Sequence, residues 1–276
     1  MKKFITLLLA LVMVVGLFAA CGTAEKAELV MATNAAFPPY EFKEGDKIVG
    51  IDAEIAAEIA KKLDMELVIE DVDFGAVLTG VAEGKYDMGL AGITVTEDRK
   101  KTMDFSESYA TGVQVIIVND GSTIATLDDI FEFDANGDPV ALKNPDMKVG
   151  VQENTTGDIY SSSAISGWGF NDLNEDESIK TDRVVRFKTG AEAVEALKSA
   201  KVDCVIIDQE PAKSFVKANE GIHILEGENE YAVEDYAICV KKGDTELLNK
   251  INSALAELKA DGTIAKIVEK YIPSNG

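Results

Sequence analysis

Positive charge is scarce in this 276-residue chain: 27 Lys and Arg stand against 49 Asp and Glu, a formal net charge of −22 at pH 7. Such acidity repels polyphosphates and anionic lipid faces, so nucleic acid is excluded as a partner. Histidine occurs once, at His223, and no CxxC pair is present, so neither a zinc site nor any other metal or cofactor is expected. Cysteine occurs three times. Cys204 and Cys239 lie inside the apolar runs VDCVIID and YAICVKK and read as small buried core residues, with a disulfide between them as the alternative. Long apolar runs are confined to the first twenty residues, and no later stretch is long enough to cross a bilayer.

That first run has a recognisable build. Lys2 and Lys3 precede apolar residues from Phe4 to Ala20, ending at Cys21-Gly22. A basic start, a short apolar stretch and small residues form the pattern of an export signal over 1–20. Leu17-Phe18-Ala19-Ala20-Cys21 resembles a bacterial lipobox, with Phe18 where that motif usually has Leu. The resemblance implies cleavage before Cys21 and a diacylglycerol on its sulfur. A linker over 21–28 would then tether the chain to the cell membrane, facing outside. An ordinary signal with a chance cysteine would instead release it.

The rest alternates strand-like and helix-like patterns. LVMAT (29–33), ELVIED (66–71), YDMGLAG (86–92), VQVIIVND (113–120), MKVGVQ (147–152) and DCVIID (203–208) are β-rich runs. From Asp52 to Leu63, residues Ile55, Ile59 and Leu63 recur at spacing four, one face of an amphipathic helix. Phe74 to Glu83 and stretches 158–165, 190–200 and 210–219 are also helix-like. The tail predicts helices over Thr245–Lys259, stopped at Asp261-Gly262, and over Ile264–Tyr271. This alternation predicts an α/β fold with mostly parallel sheets. Residues 121–147, rich in Asp, Gly, Pro and Asn, predict an elaborated connection. FDANGD (133–138) is only faintly like a calcium loop, because Pro145 stands where a bidentate Glu belongs.

Residues 90–109 read LAGITVTEDRKKTMDFSESY. Thr94 and Glu97 have the S/T-x-x-E spacing of a capping box, which predicts a helix N-terminus with unpaired N–H groups. Gly92 would let a ligand approach the backbone, and Arg99 adds a planar fork that matches a carboxylate bidentately. On these residues alone two readings stay open: a receptor for a small carboxylate, or a capped helix with a solvated arginine.

The stretch resembles the AGITxTxxR…xDFSxxY pattern of extracellular solute-binding proteins that serve amino-acid ABC importers, the polar amino-acid family. Similar segments follow in order over nearly the whole chain: TNAAFPPYEFKEGDKIVGIDAEIAAEIAKKL (33–63), the 72–109 stretch, VGVQENTTG (149–157), KVDCVIID (201–208) and residues 236–271. The resemblance implies a two-lobed periplasmic-binding-protein fold of type II, with a ligand cleft between the lobes. Crossover hinge segments would lie near Tyr109–Val113 and Val233–Tyr236, with lobe 1 at 29–110 plus 236–273 and lobe 2 at 111–235. It implies a monomeric non-enzyme that captures a free, polar amino acid by hinge closure and delivers it to an ABC permease. Arg99 would hold the ligand α-carboxylate, helped by the Thr94 hydroxyl and the backbone around Ala91 and Gly92. Asp208 would take the α-ammonium, and Thr156 would add bonds to the zwitterion. Phe37 and Phe74 would pack on opposite sides of the ligand side chain, while Asn34 and Gln152 fall where the family sets side-chain preference.

Each residue also has a plainer reading. Phe37 and Phe74 fit as core aromatics, Asp208 as the cap of the helix beginning near Pro211, and Asn34 and Gln152 as solvated amides. Trp168 reads as structural. Asn154 stands where close relatives have Gly, a change that the tolerance of Asn for left-handed backbone accommodates. Asn34 stands where relatives binding glutamine or basic amino acids often carry Asp, which argues against a cationic side chain. Segments 121–147 and 166–183 look longer than usual. Two other functions remain open: a sensory module read by a membrane receptor, and an exported dehydratase of the same fold, for which the sequence presents no poised acid or base.

Overall fold

The computed structural model describes residues 26–225 and 232–273. The signal and the lipidation expected at Cys21 lie outside the described residues. β1 (Glu28–Thr33) leads into a meander of β2 (Ala36–Phe37), β3 (Glu41–Glu44) and β4 (Lys47–Val49), and then into α1 (Ile51–Lys62). β5 (Glu66–Asp71), α2 (Phe74–Glu83), β6 (Met88–Gly89) and β7 (Met103–Phe105) follow. The long β8 (Ala110–Asn119) then carries the chain into a second sheet.

That second region contains β9 (Phe131–Phe133), β10 (Pro139–Leu142), β11 (Val149–Gln152), α3 (Thr156–Ser161), β12 (Asp172–Leu173), β13 (Ile179–Thr181) and β14 (Val184–Phe187). It continues through α4 (Gly190–Lys198), β15 (Cys204–Asp208), α5 (Gln209–Ala218) and β16 (Ile222–Ile224). β17 (Ala232–Tyr236) returns the chain to β18 (Cys239–Lys241), and α6 (Thr245–Ala260) and α7 (Thr263–Tyr271) complete it.

The first sheet has the order β5-β1-β6-β18-β7 and the second β14-β11-β15-β8-β16, with β17 also paired to β8. β1 runs parallel to β5 and β6, and β11 parallel to β14 and β15. The two strands that pass between the sheets, β8 and β17, pair antiparallel, with Val113 opposite Val233 and Ala110 opposite Tyr236. The two-lobed architecture is therefore present, and these strands are its crossovers.

Local chemistry explains the frame. In α1, Ile51, Ile55 and Ile59 are fully buried, and each such side chain stabilises by about 1.5–3 kcal/mol. Asp52 and Glu54 sit in its first turn and Lys61 and Lys62 in its last, matching the helix dipole. α6 buries Ile251, Leu255 and Leu258, and its first turn is capped by Asp244, whose carboxylate accepts the Leu247 N–H at 3.1 Å. β8 alternates: Ile116 and Val118 enter one core cluster, Val115 and Ile117 the other, so both faces of this central strand are covered. Gly112 is required beside β17, because a Cβ there would lie 2.3 Å from the Tyr236 hydroxyl.

Several expectations change. The strand expected over 86–92 pairs only at Met88–Gly89, since the backbone turns into the left-handed region at Gly92, φ +53°. The helix expected over 158–165 runs instead over Thr156–Ser161, followed by a 3-10 turn at Ile165–Gly167. FDANGD forms the turn of the β9–β10 hairpin, where the Asp134 carboxylate accepts the N–H groups of Asn136 (2.8 Å) and Asp138 (3.0 Å). Trp168 packs 5.6 Å from both Phe131 and Phe133, a structural role. Cys204 and Cys239 are buried free thiols on different sheets, so the disulfide alternative falls.

Candidate ligand-binding cleft

Between the lobes lies a small space lined by residues of both. All ten residues singled out from sequence line it: Asn34, Phe37, Phe74, Ala91, Gly92 and Thr94 with Arg99 from the first lobe, and Gln152, Thr156 and Asp208 from the second. They sit at strand ends and the loops that follow, where ligands bind in open α/β sheets. Glu41 and Thr155 line it too, and sequence reasoning missed both.

The capped α-helix expected at Thr94 is absent. Arg99–Lys101 is a single 3-10 turn, and the Thr96 hydroxyl, not Thr94, accepts the Arg99 N–H at 3.2 Å. Thr94 forms an isolated bridge to Tyr236, and its hydroxyl donates to Glu234 Oε2 at 2.9 Å. The anion-attracting dipole inferred from a helix start therefore does not operate here. The positive charge is Arg99 itself, 7% exposed, with Nη1 donating to the Thr94 carbonyl (2.8 Å) and Nη2 to the Asn154 carbonyl across the cleft (3.0 Å). The Phe74 ring covers the guanidinium, with 5.4 Å from Cζ to the ring centroid. Burial lowers the Arg99 pKa, and the nearby Glu234 carboxylate opposes that shift. Asn154 has φ +65°, so it holds the left-handed turn expected of Gly and aims its carbonyl at Arg99.

Glu234, on β17, is a third residue that sequence reasoning missed. Its Oε2 accepts from Thr94 of one lobe, from Thr156 of the other (3.0 Å) and from Gln114 Nε2 (3.2 Å). Both threonine hydroxyl protons thus point at a buried carboxylate; Thr156 also accepts Gln114 Nε2 at 3.3 Å, which leaves it one lone pair for a ligand, while Thr94 keeps two. Asp208 ends β15 and does not cap α5 with its side chain; instead the Tyr236 hydroxyl donates to it. Burial first, and the Glu234 charge second, push the Asp208 carboxyl up to about 7.

Around Gly92 the expectation also shifts. Its N–H donates to Asp52 Oδ2 at 2.9 Å rather than facing the cleft, and the Tyr109 hydroxyl donates to the same oxygen at 2.9 Å. Burial raises the Asp52 carboxyl to about 6 despite these bonds. Phe37 lies over Gly92, where a Cβ would come within 2.8 Å of its ring. Asn34 and Gln152 are not solvated: Gln152 Nε2 donates to Asn34 Oδ1 across the cleft at 2.9 Å, and Asn34 Nδ2 donates to the Val72 carbonyl at 2.9 Å. At the rim, Lys188 pairs with Asp73 of the facing lobe at 3.2 Å. Glu41, 1% exposed, is also the acid that the sequence did not reveal. It lies opposite Phe37 in the β2–β3 pairing, so both side chains share one face. A signal was available in FPPYEF, had the hairpin register been known.

Arg99 of one lobe and Asp208 of the other line one space with the hydroxyls of Thr94, Thr155 and Thr156, the arrangement of a two-lobed receptor for a small molecule. The chain belongs to the bacterial extracellular solute-binding proteins, family 3, whose pattern matches residues 29–274. It is 31% identical over 277 residues to the arginine-binding extracellular protein ArtP of Bacillus subtilis, covering 98% of both chains. An ancestral arginine-binding protein, solved with arginine and with glutamine, is 35% identical and covers 90% of this chain, with TM-scores of 0.73 and 0.72. The match covers 99% and 98% of those two chains. An ancestral amino-acid-binding protein described as a precursor of cyclohexadienyl dehydratase is similar at 27% identity and TM-score 0.71, covering 89% and 95%.

Proposed function

We propose that the chain captures a free amino acid in this cleft by hinge closure, outside the membrane, and delivers it to an ABC permease. The observation that carries the reading is the placement of Arg99 and Asp208 on facing lobes of one buried space. Arg99 takes the α-carboxylate through the N–H groups left over from its two carbonyl bonds, and Asp208 takes the α-ammonium. Thr94 and Thr156, whose protons go to Glu234, accept from the ammonium rather than donate to the carboxylate. The lobes are 29–110 plus 236–273 and 111–235, rotating about β8 and β17. Contacts to both lobes stabilise the closed form by differential affinity, and the permease reads that form. A diacylglycerol on Cys21 tethers the monomer. Arginine-binding relatives of both kinds support amino-acid capture. Glu41 supplies an acid near the cleft, yet it faces Asp52 rather than a second catalytic group, so we read a binding protein and not a dehydratase.

A thermal-shift screen of the mature protein against the common amino acids, citrulline and cystine tests this. A ligand at a hundred times its Kd should add about 2.7 kcal/mol of stability, and be recovered unchanged. A flat screen rejects the reading.

A further inference from the structure

We infer that Asn154 controls how long the cleft holds its amino acid: its side chain seats against the start of α2 on the facing lobe, its carbonyl holds one arm of Arg99, and both contacts oppose opening. The inference rests on the amino-acid reading above and adds retention to recognition.

Three observations meet at the cleft rim. First, Asn154 reaches the first lobe through two separate groups. Its carbonyl accepts Arg99 Nη2 at 3.0 Å. Its side-chain amide lies against Gly75, the second residue of α2, where an added Cβ would stand 2.8 Å from Asn154 Nδ2. Gly75 is helical, so this contact uses its small size rather than its backbone freedom. Second, Asn154 holds φ +65°, a backbone that is less favourable for asparagine than for glycine. A turn that needed only this backbone would be served better by glycine, and the contact of the side chain with α2 offsets the difference. Third, the same two segments meet again beside it. Lys188, between β14 and α4, pairs with Glu153 at 2.6 Å and with Asp73, the residue before α2, at 3.2 Å.

Exposure ranks these contacts. Lys188 and Asp73 are both more than half exposed, so their pair is screened and contributes least. Arg99 is buried and permanently charged, so its bond to the Asn154 carbonyl contributes most. Each contact joins a first-lobe residue (Asp73, Gly75 or Arg99) to a second-lobe residue (Asn154 or Lys188), so each exists only while the lobes are closed. Contacts confined to the closed form shift the equilibrium towards it, and the bound amino acid leaves only through opening. Asn154 does not line the cleft space itself, so its side chain takes no part in recognition. An amino acid enters the open form, where these contacts are absent. They therefore slow release and leave the rate of capture alone.

The test is stopped-flow binding with L-arginine, L-glutamine, L-histidine and L-cystine as probes. Asn154→Gly deletes the side chain, keeps the carbonyl and relaxes the backbone. Gly75→Ala sets a methyl against the amide, at a helical position that otherwise favours alanine. Each should speed release about threefold or more and keep association within about twofold. The melting temperature of the free protein should be unchanged or raised in both. With the amide gone the methyl has room, so Gly75→Ala should add nothing in the Asn154→Gly background. Release within about twofold of the parent in either variant overturns the inference while amino-acid capture stands. So do additive effects in the double variant, or faster release with a lowered melting temperature. Binding of none of the four probes by the unmodified protein rejects the underlying reading, and this inference with it.

Discussion

Ligand affinity should fall steeply as the solution is acidified, through Asp208. Its carboxyl sits near 7 in the ligand-free cleft, against an ordinary value of 3.8. That displacement corresponds to at most about 4 kcal/mol favouring the protonated form. A ligand ammonium needs the ionised form and must expel the proton. Above pH 7 no proton need be expelled. Below it, affinity drops by up to about tenfold per pH unit, so a neutral amino acid should bind about a hundredfold more weakly at pH 5 than at pH 8. Stability of the free protein has the opposite sign. A carboxyl whose folded pKa is raised favours the native state at low pH, and that contribution is lost as pH rises from about 4 to 7. Asp52, at about 6, acts in the same direction. Fluorescence or calorimetric titration with a neutral ligand from pH 5 to 8 gives the slope, and Asp208→Asn should flatten it. Flat affinity in the unmodified protein, or an unchanged slope in Asp208→Asn, refutes the reasoning.

Three further outcomes follow from single bonds. Arg99→Ala should weaken amino-acid binding at least about thirtyfold, from a loss of 2–5 kcal/mol, with Arg99→Lys failing to restore it; calorimetry within threefold of the parent would remove Arg99 as the carboxylate anchor. Arg99→Ala should also cost folding stability, because the buried Thr94 carbonyl loses its donor. Glu234→Gln should shift the affinity midpoint of the pH titration downward by about one pH unit or more, since Glu234 is the leading charge acting on Asp208. Gly92→Ala should destabilise by about 1–2 kcal/mol in urea unfolding, because φ is +53° and the new methyl meets Phe37.

The helices were legible from spacing. Ile55 and Ile59 mark the buried face of α1, and Leu255 and Leu258 that of α6, because burial follows a 3.6-residue period. The cleft's residue identities were legible through ordered motifs, and all ten line one space. Their partners were not. Thr94 and Glu234 are 140 residues apart in sequence, and Gly92 and Asp52 are 40 apart. Only the tertiary fold brings such donors and carboxylates together. The capping-box spacing at Thr94 misled because no α-helix starts there: Thr94 bridges to Tyr236 and donates to Glu234, and the Thr96 hydroxyl accepts the Arg99 N–H of the 3-10 turn instead. Glu41 stayed hidden for another reason: its facing depends on hairpin register, and a slip of one residue would have turned it outward.

Asn34 is where the two ways of reading the cleft part. As a selector of the ligand side chain, Asn34→Asp should favour a cationic ligand over a neutral one. As found, Asn34 is a strut: it receives Gln152 from the other lobe and donates to the Val72 carbonyl. An aspartate would keep the first bond but set a carboxylate oxygen against the Val72 carbonyl, losing a buried donor at a cost of about 1–3 kcal/mol. It would also add a negative charge to a cleft that already holds Asp208, Glu234 and Glu41, so its own carboxyl would tend to stay protonated. A protonated group at this site attracts a cation little more than the amide does. Arginine and citrulline affinities should therefore fall together, by about tenfold, with a loss of thermal stability in the free protein. A gain for arginine alone would show that Asn34 faces the ligand side chain and is no mere strut.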